Sequence, residues 1–431
     1  MIPERPIRVA KEDESSPGYK LLTLEANYSL RTVLARGLDR EITCRDVDGL
    51  FDHVWSVNPI IGASPEHWGE QSIGPPSTMR LTERHTVVEG RIGRFVSLRR
   101  LPWLNFVVAQ FLLLIRLLWL IRKERISMIR AGDPYYLGLF GMLLAASHRL
   151  PFVVRVNANQ DIIYETTGMP AYPRLLRYRW LEKRIERFVL SRADLVAGGN
   201  QNNLNFALAN GARPEHSTVF RCGTWMDPVH FEVEPEMRCR LDLGFRPGQP
   251  FLIIVGRLAP VKRPQDVIEV LRIAREKEPT LGAVFVGDGP MMEELRSAAE
   301  RINAGDDVRF VGNQDQSWVA SALTSASVVL SPLTGRALVE ACLSGTPVVA
   351  YDVEWHSELV LNGETGMLVP FGDTEEMAEA VCALLGDPDR AAIMGKRARA
   401  AALGMMDPAR LIEHERAEYL KVLRGSRGRE R

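Results

Sequence analysis

Short, branched apolar runs that end in glycine or a polar turn recur through the second half of the chain: "FLIIVGRL", "LGAVFVGDG", "VRFVG", "ASVVLSPL", "TPVVAYD" and "GMLVP". Runs that stay apolar at successive positions predict strands buried on both faces, as in a parallel sheet. Between them lie segments with helical spacing of apolar residues, "RPQDVIEVLRIAREKEP", "PMMEELRSAAERIN", "DQSWVASALTSA" and "GRALVEACLSG". This alternation predicts a doubly wound α/β domain over residues 249–405. The first half is less regular, but "RISMIRAG", "PFVVRVNA", "ADLVAGG" and "STVFRCG" are again short strand candidates set between helices. The predicted fold class is therefore α/β, with two Rossmann-like domains facing each other across a cleft. Residues 1–220 form the first domain, 221–248 the linker, and 406–431 a C-terminal helix with a basic tail. A length of 431 residues agrees, because one hydrophobic core rarely serves so long a chain.

One stretch departs from the pattern. "WLNFVVAQFLLLIRLLWLI", residues 103–121, is long enough to span a bilayer, yet Arg116 lies inside it. An arginine near the centre of a spanning helix costs about 2.5 to 3.5 kcal/mol on insertion scales. At 100° per residue Asn105, Arg116 and Lys123 fall on one side, which predicts a polar stripe on an apolar surface helix. That helix either packs on a sheet or presents a face to a membrane. Arg91, Arg94, Arg99, Arg100 and Trp103 precede it or open it, and Arg122, Lys123 and Arg125 close it, the composition of a peripheral contact with anionic lipid. A second basic and aromatic run, "YPRLLRYRWLEKRIERF", reads as a solvated helix face or as part of the same surface.

Composition narrows the partners. Lys plus Arg and Asp plus Glu both total 54, so no bulk field favours nucleic acid. The five cysteines (Cys44, Cys222, Cys239, Cys342, Cys382) are scattered and lack CxxC or Cys/His spacing, which speaks against a disulfide framework or a zinc site. The opening "MIPERPIRVAKEDESSPGYK" has no apolar core region of a secretory signal. The expected compartment is the cytoplasm, with a peripheral position on its membrane face as the variant of that reading.

Three features of the second domain converge on an anionic ligand. In "VGRLAPVKRP", Gly256 and Arg257 end a strand and Lys262 follows five residues later, so a turn can aim both cations at one diphosphate; a solvated turn is the plainer alternative. "VFVGDGP" places Gly287 and Gly289 in a strand-end turn without completing a dinucleotide fingerprint. "LTGRA" sets Thr334, Gly335, Arg336 and Ala337 at a helix start, where N–H groups and the helix dipole favour phosphate. Glu340 lies one turn further into that helix, an isolated acid whose partner is not apparent.

The order of these motifs resembles family 4 retaining glycosyltransferases of the GT-B fold, the glycosyl transferases group 1. "GRLxxxK", "VGDGP", "VRFVG", "GRALVEACLSGTPVVA" and "SELVLNGETGMLVP" carry the likeness, which covers about residues 190–425. The resemblance implies that Arg257 and Lys262 neutralise the diphosphate of a nucleotide-sugar donor. It further implies that Glu340 holds the ribose hydroxyls and that the loop "GNQDQSW", residues 312–318, borders the base. It implies no metal and no cofactor beyond the donor. A leaving phosphate oxygen would take the acceptor proton, so no protein base is required.

This chain also departs from the pattern. Eight positions before Glu340, where the family carries a second glutamate, stands Pro332. "KLLTLEANYSLRTVLARG" lacks the glycine-rich loop expected after the first strand. Asn157, Asn159 and Asp161 occupy the place of a usual histidine and are sugar-contact candidates, with Asp161 taken beside Arg257 and Lys262 as catalytic; a polar loop with no role is the equal alternative. Glu354, Trp355 and His356 replace the family's usual small residues; a lone histidine in such a turn is more often structural, yet here His356 would border the cleft. The function this implies is transfer of a sugar, with retention of configuration and without metal, from a nucleotide-diphosphate sugar to a glycan or lipid-linked acceptor. The alternatives are a nucleotide-sugar epimerase on the same fold and a non-catalytic donor-binding subunit.

Overall fold

The computed structural model describes residues 18–26, 29–61, 73–232 and 243–427. The N-terminal sheet contains β1 (Tyr19–Leu24), β2 (Phe51–Asn58), β3 (Ser77–Arg80), β4 (His85–Glu89), β5 (Met128–Ala131), β6 (Phe152–Val156), β7 (Leu195–Gly198) and β8 (Ser217–Val219). Their order is β3-β4-β2-β1-β5-β6-β7-β8, parallel except for the edge pair β3 and β4. In the second half every apolar run read as a strand is one: β9 (Phe251–Val255), β10 (Gly282–Val286), β11 (Val308–Gly312), β12 (Val328–Ser331), β13 (Val348–Tyr351) and β14 (Met367–Val369). They form an all-parallel sheet in the order β11-β10-β9-β12-β13-β14.

Successive residues of the C-terminal strands enter opposite cores, which explains why the runs are apolar without alternation. Leu252 and Ile254 of β9 pack with Val267, Leu271, Met377 and Val381 on one side. Phe251 and Ile253 pack with Leu323, Leu338 and Leu343 on the other. Each such side chain contributes about 1.5 to 3 kcal/mol when fully buried, so the sheet is held from both faces. The strand order reverses between β9 and β12, and parallel sheets open a crevice beyond the strand ends at such a point.

In the N-terminal sheet the corresponding reversal lies between β1 and β5, where Glu25, Arg45, Arg130, Arg155 and Glu415 line a smaller cavity of about 210 Å³ and bind one another and their neighbours. Arg130 donates from Nε to Thr23 Oγ1 at 3.1 Å and from Nη2 to Glu25 Oε1 at 3.2 Å. Arg155 reaches Glu415 Oε1 at 3.5 Å and the Phe220 carbonyl at 3.0 Å. Against burial, which raises it, Arg45 and Arg130 bring the Glu25 carboxyl below its ordinary value. Glu415 belongs to the last helix, Pro408–Arg427, which returns to the N-terminal domain: Tyr419 packs edge-on to Phe51 and Phe220 at 5.6 and 5.4 Å. This helix ties the two domains together.

The apolar stretch forms the helix Pro102–Glu124, which buries Ala109, Leu113, Leu117 and Ile121 in the N-terminal core. The predicted polar stripe does not face solvent as a unit. Asn105 is buried and its Oδ1 accepts from the N–H groups of Arg94 and Phe95 at 2.6 and 2.9 Å. Arg116 is exposed, but it is bound to the Pro76 carbonyl and Thr78 Oγ1 at 3.1 and 2.6 Å. What faces outward at every fourth position is apolar: Trp103, Val107, Phe111, Ile115 and Trp119. The helix therefore has two apolar faces, one packed and one open. The second basic run also differs from a solvated face: in the helix Arg179–Leu190 it turns Glu182 and Glu186 into the core, where Arg179 and Lys183 pair with them.

Candidate active site

The turn after β9 carries Gly256 and Arg257, and the 3-10 turn Pro260–Lys262 brings Lys262 back over the strand ends. After β12 the loop rises through Thr334 to Gly335, whose φ of 67° starts the helix Arg336–Leu343. These two turns flank the reversal point. Gly256, Arg257, Lys262, Gly287, Thr334, Arg336, Ala337 and Glu340 line one cavity of about 980 Å³. Gly335 lines an adjoining lobe of about 870 Å³, which shares Trp225, Lys262 and Arg336 with the first. The nine residues proposed for donor binding thus meet around two connected lobes. Close approach also explains Gly287: a Cβ there would stand 2.0 Å from the Gly256 carbonyl oxygen.

Two of the cations that line the cavity, Arg257 and Lys262, come from the turn after β9. Lys262 Nζ stands 3.7 Å from where a Cβ at Gly335 would be, at the helix start. Burial lowers the Lys262 pKa, Arg257 lowers it further, and Glu354 opposes both. An ammonium held in that state gains when a phosphate arrives. Arg336 is less available. Its Nε donates to Glu340 Oε1 at 3.2 Å and its Nη1 to Glu41 Oε1 at 2.9 Å. Burial draws the Arg336 pKa down, but Glu340 and Glu41 raise it above its ordinary value. Arg336 is therefore a bridge between domains more than a phosphate ligand, and it is the partner of the buried Glu340.

The opposite wall was not visible in the sequence. Residues 35–39 and Glu41, from the corner between the short helices Leu30–Ala35 and Arg40–Thr43, face the cavity in place of a glycine-rich loop. Trp225 and Asp227 of the linker close its side, and Asn313, Gln314, Asp315, Gln316 and Ser317 line the end expected to border a base. Side chains contributed by a domain distant in sequence leave no local periodic signal. A further cross-domain contact is built by Glu358, whose carboxylate accepts from the N–H groups of Gln201 and Asn202 at 3.1 and 3.0 Å and from Arg221 at 2.9 Å. It sits on the N-terminal turn of the helix Gln201–Ala209, where the dipole favours an anion.

Three expectations for the second lobe are corrected. Asp161 is not among the residues that line it; its carboxylate is bound to Arg179 and Lys183, the latter at 2.7 Å, and to Asn210. Burial alone would raise its pKa, but these partners bring it below the ordinary value, so it is a poor base and a structural anchor of the helix Gln160–Thr167. Asn159 caps that helix, accepting from the N–H groups of Asp161 and Ile162, and is likewise occupied. His356 is buried behind the cleft, donating from Nδ1 to the Tyr351 carbonyl at 2.9 Å; burial lowers its pKa to about 4 and leaves it neutral. Asn157, Glu354 and Trp355 do line the lobe.

Two Rossmann-like domains with a nucleotide-sized crevice at the C-terminal switch point, closed by the N-terminal domain, define the GT-B fold. Residues 239–401 of the chain match the model of the glycosyl transferases group 1 family. It is 31% identical over 232 residues to D-inositol 3-phosphate glycosyltransferase of Nocardia farcinica, covering 51% of each chain. To sulfoquinovosyl transferase SQD2 of Arabidopsis thaliana it is 27% identical over 314 residues, covering 69% of this chain and 57% of that one. The chain spans about half the length of the curated relatives it matches. Among solved structures it is similar to sucrose-phosphate synthase of Thermosynechococcus elongatus, with a TM-score of 0.69 at 18% identity over 94% of this chain and 100% of that one. HepE of Anabaena in complex with UDP and glucose gives a TM-score of 0.65 at 20% identity, covering 94% of this chain and 99% of that chain.

Proposed function

We propose that this protein is a glycosyltransferase that moves a sugar from a nucleoside diphosphate sugar to a glycan or lipid-linked acceptor, with retention of configuration and without a metal ion. The observation that carries this reading is the meeting of Arg257, Lys262, the helix start at Gly335 and Glu340 around two connected lobes. Breaking the bond between sugar and phosphate leaves negative charge on the departing diphosphate. Fixed cations and N–H groups there stabilise the transition state more than the ground state. The adjoining lobe, walled by Ile162, Ile163, Met169, Phe220 and Trp225 from the first domain and linker, offers an acceptor a largely apolar bed. The relatives are named for glycosyl transfer, and HepE was crystallised with UDP and glucose; both support the donor class. Retention is the mode of the family 4 enzymes that the motifs resemble.

Titration with UDP, GDP and their sugars in the presence of EDTA tests the metal-free part: affinity is expected to be unchanged, and complete loss on chelation would overturn it. Incubation with donor and acceptor tests the rest. Release of nucleoside diphosphate coupled to a new glycosidic bond is expected, whereas an epimerised donor would identify the epimerase alternative. Binding without turnover would identify a donor-binding subunit.

The open face of the helix Pro102–Glu124 supports work at the cytoplasmic face of an anionic membrane. Trp103, Phe111 and Trp119 are 69%, 59% and 60% exposed. Exposed Arg99, Arg100, Arg122, Lys123 and Arg125 stand at its two ends, and Lys123 lies 4.8 Å from the Trp119 ring. Apolar side chains rimmed by cations match a negatively charged bilayer surface. Phosphatidylglycerol vesicles are expected to retain the protein, and 1 M salt, by screening, to weaken that retention. Replacing Trp103, Phe111 and Trp119 together by serine should lower vesicle affinity about tenfold or more, with little change in Tm. Equal binding by the triple variant would sink the idea, and resistance to both salt and alkaline wash would mark an integral protein instead.

A further inference from the structure

One carboxylate of the cleft has no part in the mechanism just described. Glu354 follows β13 and lines the second lobe with Arg221, Lys262, Arg263 and Arg336, the one acid among the described residues of that lining. Its backbone is held at φ 53°, the left-handed region that glycine enters freely and a residue with a Cβ rarely does. The strained peptide is fixed from across the cleft, because Asn202 Nδ2 donates to the Glu354 carbonyl at 3.3 Å. Strain of this kind persists where the surroundings impose it, and it concentrates at functional sites.

Its charge environment locates its partner. Lys262 lines the nucleotide cavity and the second lobe alike, and Glu354 shares the second lobe with it; burial raises the Glu354 pKa above its ordinary value and Lys262 opposes that rise. Whatever Glu354 reaches therefore lies beside the group that Lys262 holds. In a nucleoside diphosphate sugar, the part that follows the diphosphate is the sugar. Pro332, on the loop after β12, offers no side-chain donor or acceptor to it.

We propose that Glu354 is a specificity-determining residue whose carboxylate accepts hydrogen bonds from hydroxyl groups of the transferred sugar. This rests on the donor reading given above. A carboxylate accepts from a diol with both oxygens, and it repels a sugar that is itself acidic. The same acid thus selects neutral sugars and excludes uronic acids.

Calorimetric titration of the full chain with UDP, GDP, UDP-glucose, GDP-mannose and UDP-glucuronate tests this, comparing wild type with Glu354→Gln and Glu354→Gly. Affinity for UDP and GDP is expected to stay within about twofold, while the neutral sugar nucleotide preferred by the wild type weakens about tenfold in both variants. Discrimination against UDP-glucuronate should shrink by a similar factor. Glu354→Gly should at the same time raise Tm, because glycine adopts φ 53° without strain, so a loss of sugar affinity in that variant is not a folding defect. An unchanged ratio of sugar-nucleotide to nucleotide affinity in Glu354→Gly would overturn the proposal. So would an equal loss for free UDP or GDP, which would show that Glu354 acts through Lys262. A wild type that binds none of the five ligands would overturn the donor reading itself, and this inference with it.

Discussion

Lys262→Met should weaken binding of UDP or GDP roughly a hundredfold, about 3 kcal/mol, because it removes a desolvated ammonium from a diphosphate while keeping most of the side chain's volume. Inorganic pyrophosphate should weaken similarly and the bare nucleoside hardly at all. The pH dependence has a defined sign. Burial, then Arg257, set the Lys262 pKa of the free protein below the ordinary 10.5, with Glu354 in partial opposition. A bound dianion favours the charged lysine and raises that pKa. Wild-type affinity should therefore fall as pH rises through the lowered pKa of the free protein, and this fall should vanish in Lys262→Met. The unfolded chain binds more protons than the free folded protein between that lowered pKa and 10.5. The penalty for burying the charge is thus fully present at neutral pH and relieved as pH rises, so the unliganded variant should be more stable than wild type at pH 7. Calorimetry and thermal melts at several pH values read both effects; a variant that is destabilised and still binds diphosphate would contradict the assignment.

Glu340→Gln should weaken nucleotide binding ten- to a hundredfold, since charge-assisted hydrogen bonds to ribose hydroxyls contribute about 1.5 to 3 kcal/mol in a buried site. UDP and the UDP-sugar should lose equally, because both carry the ribose, and pyrophosphate should lose little. Arg336 keeps Glu41 as a partner in this variant, which limits the structural damage. Intact nucleotide affinity with abolished turnover would instead make Glu340 catalytic. Ligand-induced shifts in Tm give an independent reading of the same affinities, since a ligand bound by the native state raises its melting temperature.

The two predictions rest on residues that were legible to different degrees. Arg257, Lys262, Thr334, Gly335 and Glu340 were found from strand-end turns and a helix start, because parallel α/β topology sends the end of every strand to the same edge. Once β9 and β12 are recognised as neighbours of the reversal point, their following loops must meet. Asp161 and His356 were misplaced for a related reason: proximity to a strand end says nothing about which neighbours compete for a side chain. Arg179 and Lys183, some twenty residues on, take Asp161, and the Tyr351 carbonyl takes His356. The helix Pro102–Glu124 shows the same limit, since a helical wheel reports angles and not what packs against each one.

By itself the sequence determined the α/β class, the strands of the second half and which strand-end turns line the cavity, because burial on both sheet faces and turn chemistry are local properties that each segment must satisfy alone. Only the tertiary structure decided that Arg336 bridges Glu41 and Glu340, that residues 35–39 and Glu41 wall the cavity, that the last helix returns to the first sheet, and that Glu354 is forced into a left-handed conformation at the cleft. Each of these depends on groups brought together from distant parts of the chain, and no pattern of neighbouring residues encodes which distant partner arrives.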